Sequence, residues 1–385
     1  MGKRKVTFDR VTLYVMVILI FIGIIMMLST SSAVGLANFH DPYYYTKKHS
    51  MYLLIGVVAF MAGYWIPHQT YKRYSVVGFG MAVLMLIMTL IPGVGVQLGG
   101  ARRWLNLGII QMQPVEMAKF FIVVFIATSL SHKKAQMGTF TKGLLPILGL
   151  IIIPVGLLAK QPDLGNIILI FGITFAMVFL GGVPLRHLGG LFGAGILGVI
   201  ASVIRHPYQL GRVKTFLFPW RDPLGKSYHI VQSFIAIGSG GIFGQGLGQS
   251  KLKYFYLPLQ YSDFIFSIIC EEGGLILATL VFVLYGILFY RGMSIAYYAK
   301  NSFSFFLGVG STLLLVFQAV INMGVAIGLF PVKGVPLTFI SFGGTALIMS
   351  MFYVGVLLNI SKRVSGGVVH HDGPDDLGVP LEGRL

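Results

Sequence analysis

Apolar residues in this chain run in long unbroken blocks rather than in the every-second or every-third rhythm of a half-buried element. Blocks near 11–33, 51–67, 75–92, 115–131, 143–160, 165–182, 187–204, 263–290, 303–328 and 344–361 carry few charges or none. A helix rises about 1.5 Å per residue, so roughly 20 apolar residues match a hydrocarbon core of about 30 Å. The pattern predicts an all-α polytopic membrane protein of about ten transmembrane helices. The blocks 143–160 and 165–182 are the least securely separated, because only the turn Gln161-Pro-Asp-Leu-Gly165 divides them. No internal repeat and no second domain interrupts the series.

Composition agrees with a bilayer as the solvent. The 385 residues are 56% hydrophobic and only 11% charged, with a mean hydropathy of +0.82, where a soluble domain is roughly 25% charged. Basic residues then orient the series. Lys3, Arg4, Lys5 and Arg10 open the chain, and alternate connections carry Lys72–Arg73, Lys133–Lys134 with Lys142, Arg186, and Arg291 with Lys300. Lys362–Arg363 follow the last block. Positive residues favour the cytoplasmic side, which places both ends there. The expected divisions are a cytoplasmic N-terminus at 1–10, a membrane domain at 11–362 and a cytoplasmic tail at 363–385. The tail is Gly-rich and polar and predicts no packed structure. An extracytoplasmic loop of about 205–262 separates the seventh and eighth helices. The first block is read as a retained span rather than a removed signal peptide, since no small-residue cleavage site clearly follows it. A single cysteine, Cys270, excludes an intramolecular disulfide. The formal charge of +17 does not point to nucleic acid, because no soluble basic domain exists to carry it.

With only 12 acidic residues, each one can be weighed. Asp9 and the tail acids Asp372, Asp375, Asp376 and Glu382 fall on the cytoplasmic side, and Asp41 and Asp222 in outer loops. Glu116, Asp163, Asp263, Glu271 and Glu272 lie inside or at the ends of predicted spans. A carboxylate there costs several kcal/mol unless it is paired or hydrated, which makes each a functional candidate. Glu116 and Lys119 share a helix face at i, i+3 and suit either a stabilising pair or a site. Asp163 suits a helix N-cap, a site, or both. Asp263 opens the eighth span at the outer face, as an N-cap or as a general base. Glu271 and Glu272, adjacent and deeper, point in different directions.

The outer loops carry Arg102, Arg103, Arg205, Arg212, Lys214, Arg221, Lys226, Lys251, Lys253 and Lys333. Arginine suits bidentate recognition of phosphate, and lysine acts as a compact point charge. Trp104 also suits an interfacial anchor. The run Gly238-Ser-Gly-Gly-Ile-Phe-Gly-Gln-Gly-Leu-Gly248 is no P-loop and no dinucleotide fingerprint, since the required Lys-Ser/Thr and spacing are missing. Glycines at that density permit close backbone approach or tight packing. No nucleotide site, no Cys/His metal spacing and no Ser/His/Asp triad is visible.

Several strings in this order resemble the SEDS family of bacteria, represented by FtsW, RodA and SpoVE. They are Gly100-Ala-Arg-Arg-Trp-Leu-Asn-Leu-Gly108, Gln113-Pro-Val-Glu-Met-Ala-Lys119, Gln161-Pro-Asp-Leu-Gly165, Tyr228-His-Ile-Val-Gln-Ser233, Ala236 to Gly248, Ser262-Asp-Phe-Ile-Phe266 and Pro336-Leu-Thr-Phe-Ile-Ser-Phe-Gly-Gly344. The resemblance runs from about Asp9 to Lys362. It implies a peptidoglycan glycosyltransferase that polymerises lipid II beside a class B penicillin-binding transpeptidase and other division or elongation proteins, in the bacterial cytoplasmic membrane. It places the essential aspartate at Asp263, the Arg-Arg-Trp element at Arg102, Arg103 and Trp104, and polar cavity positions at Glu116, Lys119 and Asp163. With the candidates read from the residues, the substrate-binding set is Arg102, Arg103, Trp104, Glu116, Lys119, Lys160, Asp163, Arg205, Arg212, Gln232, Ser239, Glu272 and Ser341. A divalent cation (Mg or Mn) held by carboxylates is the candidate cofactor, with no nucleotide. The glycine pattern is nearer the FtsW/SpoVE branch, which implies a role in septal wall synthesis. A flippase for lipid II, a RodA-type elongation polymerase and a scaffold are the competing readings. The chain departs from the family where Pro258-Leu-Gln-Tyr-Ser262 replaces the usual Pro-Glu-X-His-Thr, where Glu271-Glu-Gly-Gly274 replaces Glu-Glu-Leu-Gly, and where Ser341-Phe-Gly-Gly-Thr345 replaces Ser-Tyr-Gly-Gly-Ser. The first of these removes two polar groups from beside the expected base.

Overall fold

The computed structural model describes residues 6–364, apart from 99–100, 107, 109–110, 133–135, 206, 251, 254–259 and 333. Lys133, Lys134, Lys251, Lys333 and the tail from 365 onward therefore lie outside the described residues. The chain is a helical bundle: α1 (Arg10–Phe39), α2 (Tyr44–Trp65), the short α3 (His68–Arg73), α4 (Ser75–Leu90), α5 (Pro114–His132), α6 (Leu145–Lys160, entered through a π-turn), α7 (Leu164–Leu180), α8 (Leu185–Arg205), α9 (Pro207–Leu217), α10 (Tyr228–Gly240), α11 (Ile265–Tyr297), α12 (Ser302–Ala326) and α13 (Gly344–Ser361). A helix stands at each of the ten predicted apolar blocks. Among the described residues, seven helices are long and apolar enough to cross a membrane: α1, α5, α6 with its entering turn, α8, α11, α12 and α13. The apolar helices α4 and α7 are shorter. The protein is a multi-pass membrane protein.

Burial sorts these helices. In α12 and α13, 78% of the apolar window is buried inside the protein, against 6% in α8. α12 packs on α5 and α11, and α13 on α2, which leaves α12 and α13 in the interior. α8 instead exposes Phe192, Ile196, Leu197, Ile200 and Ile204, an apolar surface that only lipid can solvate without penalty.

The two ends of the described chain meet on one face. Strand β1 (Val6–Thr7) pairs antiparallel with the last described residues, Arg363–Val364. Beside it Arg291 donates to both Asp9 oxygens at 3.0 and 2.5 Å, and the Asp9 amide donates to Ser361 Oγ at 3.2 Å. The opposite face holds the irregular elements. Strands β2 (Gly95–Leu98), β3 (Ala101–Asn106) and β4 (Gln111–Met112) form a small antiparallel sheet there, where the sequence pattern shows only a connection. The stretch 205–262, expected as a long loop, also contains helices α9 and α10.

α10 does not lie loosely on this face. Its glycine-rich exit packs into a break in α11. Gly274 takes φ +63° inside that helix, and the freed backbone groups are recaptured: Gln245 and Gly246 amides donate to the Glu271 and Glu272 carbonyls at 2.9 and 3.0 Å, and the Leu275 amide donates to Gly241 at 2.9 Å. A Cβ at Gly274 would collide with the Gly244 amide and the Ile242 carbonyl, so glycine is required both by the dihedral and by the approach.

Candidate active site

Asp263 sits in the turn just before α11. Its backbone is fixed from two sides. Asn322 of α12 donates its amide to the Asp263 carbonyl at 2.9 Å and to the Val335 carbonyl at 2.8 Å. Ser341 Oγ donates to the Ser262 carbonyl at 2.6 Å and accepts the Leu337 amide at 2.8 Å, while the Phe342 amide donates to Tyr261. The segment 335–342 thus clamps the turn. α11 takes Phe264 as its N-cap residue, with no side-chain cap. The Asp263 carboxylate is therefore not spent on the helix end, which removes the capping role that the sequence leaves open.

The carboxylate instead lines a cavity of about 530 Å³ with Gly211, Arg212 and Thr215 of α9, Lys226, His229 and Ile230 from the approach to and start of α10, and Phe264 and Val332. Burial pushes the Asp263 carboxyl up to about 6, against the opposing charges of Arg212 and Arg103 and the Ser262 hydrogen bond. The backbone of Gly334 passes close by, such that a Cβ there would lie 3.4 Å from Asp263 Oδ2.

A second, narrower cavity of about 40 Å³ adjoins the first and shares Arg212 and Val332 with it. Arg103, Asp163, Gln209 and Gly334 also line it. Asp163 caps α7 through the Asn166 amide at 3.3 Å and holds the Asn166 side chain at 2.9 Å; it is both a cap and a wall of this cavity. Arg103 donates to the carbonyls of Gln161 and Pro162 at 3.1 and 2.6 Å and stands 3.9 Å from Asp163. Arg212 donates to the Val332 carbonyl at 3.0 Å. Two arginines, with fixed donors, therefore border two carboxylates across adjoining spaces. Such an arrangement favours an anion next to a carboxylate able to take a proton.

The other sequence candidates are placed elsewhere. Arg102 and Trp104 follow the strand alternation on either side of Arg103, and neither lines these two cavities. Glu116 and Lys119 are buried in α5: Lys119 donates to Glu116 at 2.8 Å and to Gln318 at 3.0 Å. Gln318 in turn donates to the Pro336 carbonyl at 3.2 Å, so the pair supports the clamp segment from below. Lys160 and Arg205 are exposed helix ends. Gln232 lies on α10 outside both linings, and Ser239 bonds back to its own helix at Ala236. Glu272 is buried and accepts from Ser29 at 2.6 Å and Lys253 at 3.3 Å, while Glu271 accepts from Ser250 at 2.5 Å. With Gln260 donating to the Thr30 carbonyl at 2.9 Å, these bonds fasten Ser250, Lys253 and Gln260 onto α1 and α11. Ser341 positions the turn, as described above.

Among the described residues no group of three or more His, Cys, Asp or Glu side chains gathers to hold a metal ion. Asp163 and Asp263 line different cavities, and Asp163 already serves Asn166 with Arg103 beside it. These donors do not fit a resident divalent cation. Thr215, Gln209 and His229 line these cavities without standing out in the sequence. The first two carry no sequence signal; His229 stood inside a motif without a role.

Comparison with known proteins shows the family of the chain. A family model described as "Cell cycle protein", for FtsW, RodA and SpoVE, matches residues 9–366. The chain is 36% identical over 362 residues to stage V sporulation protein E of Bacillus subtilis, covering 94% of this chain and 99% of that one. It is 39% identical over 358 residues to the probable peptidoglycan glycosyltransferase FtsW of Trichlorobacter lovleyi, covering 93% and 94%. Among solved structures, a chain of a peptidoglycan synthase complex superposes with a TM-score of 0.76 at 28% identity, covering 92% of this chain and 98% of that one. Thermus thermophilus rod shape determining protein RodA superposes at 0.67 and 26% identity, covering 92% and 97%.

Proposed function

The chain belongs to the FtsW/RodA/SpoVE family of cell cycle proteins, and from that premise we propose that it is a peptidoglycan glycosyltransferase that polymerises lipid II on the outer face of the bacterial cytoplasmic membrane, in septal wall synthesis. The reading draws on relatives named probable peptidoglycan glycosyltransferase FtsW. The observation that carries it to the atomic level is Asp263, turned away from its helix end and into a cavity that Arg212 separates from a second one.

In this reading the sugar 4-hydroxyl of the acceptor enters beside Asp263, which takes its proton as the oxygen attacks the anomeric carbon of the donor. The new C–O bond forms as the bond to diphosphate breaks, and configuration at that carbon inverts. General-base help of this kind contributes roughly 10²–10⁴-fold. Arg212 and Arg103 face the negative charge that develops on the leaving diphosphate. Lipid tails remain in the bilayer against the exposed apolar surface of the bundle. A transpeptidase of the penicillin-binding class is the proposed partner, in keeping with the peptidoglycan synthase complex that the chain resembles.

The purified protein, with its cognate transpeptidase, is incubated with lipid II in detergent. Glycan polymer formed with no second compartment present supports the proposal. Transbilayer movement of lipid II in vesicles with no polymer in detergent would instead identify a transporter.

A further inference from the structure

His229 is an unassigned polar group in the larger cavity. It opens the second position of α10 and shares the cavity wall with Asp263 and Arg212. Its ring lies parallel to that of Phe264, the residue after Asp263, with centroids 6.2 Å apart and planes 9° from parallel. The stack fixes the imidazole relative to the turn that carries Asp263. Its Nδ1 is enclosed and has no hydrogen-bond partner among the described residues, so the ring meets the cavity through its other nitrogen, Nε2. A polar atom that faces a cavity with no partner in the protein is open to a ligand or a water. Burial and the Arg212 charge hold its pKa below the ordinary histidine value, so at neutral pH the ring is uncharged, with one nitrogen donating and the other accepting. That pairing suits a sugar hydroxyl, which both donates and accepts. It does not suit a diphosphate, which needs donors alone.

We propose that His229 is a substrate-touching residue of the acceptor site, hydrogen-bonding the sugar of the lipid-linked acceptor so that its attacking hydroxyl is turned toward Asp263. This rests on the glycosyltransferase reading above. It divides the labour within one cavity: Asp263 receives the proton, Arg212 faces the anion, and His229 holds the neutral sugar.

Three variants of the full protein, co-purified with its transpeptidase, separate the hydrogen bond from the stack. His229→Ala removes ring and nitrogens. His229→Phe keeps a ring against Phe264 and removes both nitrogens. His229→Gln removes the ring but keeps a polar atom near Nε2. Initial polymerisation rates are measured against lipid II concentration. Loss of one neutral hydrogen bond corresponds to about a tenfold effect, so the Ala and Phe variants are expected to raise KM about tenfold with kcat changed by less than about threefold, and Gln to recover most of the difference. A native KM for His229→Phe would overturn the assignment in favour of packing alone, and so would equal impairment of all three. Because His229→Phe retains bulk, it reports even where His229→Ala fails to fold. Asp263→Asn is run in parallel: full activity in that variant defeats the reading of the site as a whole, whereas its inactivity with unchanged His229 variants defeats only the role of His229.

Discussion

Burial pushes the Asp263 carboxyl up to about 6, and the sign of that shift has two consequences. The base form predominates only above that pH, so kcat/KM should fall as pH drops through about 6, which a pH–rate profile of the detergent-solubilised complex would show. A flat profile between pH 5 and 8 would count against a carboxylate base. The folded-state pKa also lies above that of an unfolded aspartate. The folded protein therefore binds more protons than the unfolded chain between about 4 and 6, and stability falls across that window as pH rises. Above it the ionised Asp263 is a standing cost. Asp263→Asn should consequently melt no lower than the native protein at pH 7.5, while losing polymerisation; a thermal scan in detergent checks this. Arg212 carries a separate expectation. It spans both cavities and donates to Val332, so Arg212→Ala should lower kcat/KM by about 10–100-fold, measured by the same assay.

At the scale of elements, the site depends on supports that never touch it. The Lys119–Glu116 pair is wholly buried, and Lys119 also holds Gln318, which holds the 335–342 clamp. Removing one partner of a buried pair strands the other charge and costs about 3–5 kcal/mol. Lys119→Met should therefore lower thermal stability sharply, and Glu116→Gln in the same chain should restore part of it. Equal stability of the single and double variants would mean that the pair is not coupled. Gly274→Ala tests the break in α11: its Cβ would meet the Gly244 amide and the Ile242 carbonyl, so the glycine-rich exit of α10 should detach, with loss of stability. These supports also show what the sequence made legible. The ten apolar blocks were readable because burial in lipid demands uninterrupted apolar length, and Asp263 and Asp163 stood out because acids are few. α9, α10 and the β2–β4 sheet were not readable, because their residues are of mixed polarity and their form is set by docking on other elements. Arg103 was indistinguishable from Arg102 until the strand alternation turned only one of them toward Asp163.

For the whole molecule, the pairing of β1 with Arg363–Val364 puts both ends of the described chain on the face opposite Asp263. The positive-inside rule assigns that face to the cytoplasm. Cys270 is buried, which makes it a quiet background for labelling. Leu224→Cys, at a position 86% exposed, should react with an impermeant maleimide in intact spheroplasts, and Lys300→Cys only after permeabilisation. The reverse pattern would invert the topology and put the cavities on the wrong side for wall synthesis. The chemistry itself has a more direct test. Lipid II is supplied to the purified protein–transpeptidase complex, and the rate of glycan formation is compared between the native chain and Asp263→Asn at saturating substrate. A general base at Asp263 requires a fall of roughly 10²-fold or more with the complex intact; an Asp263→Asn protein that polymerises at the native rate would rule that base out.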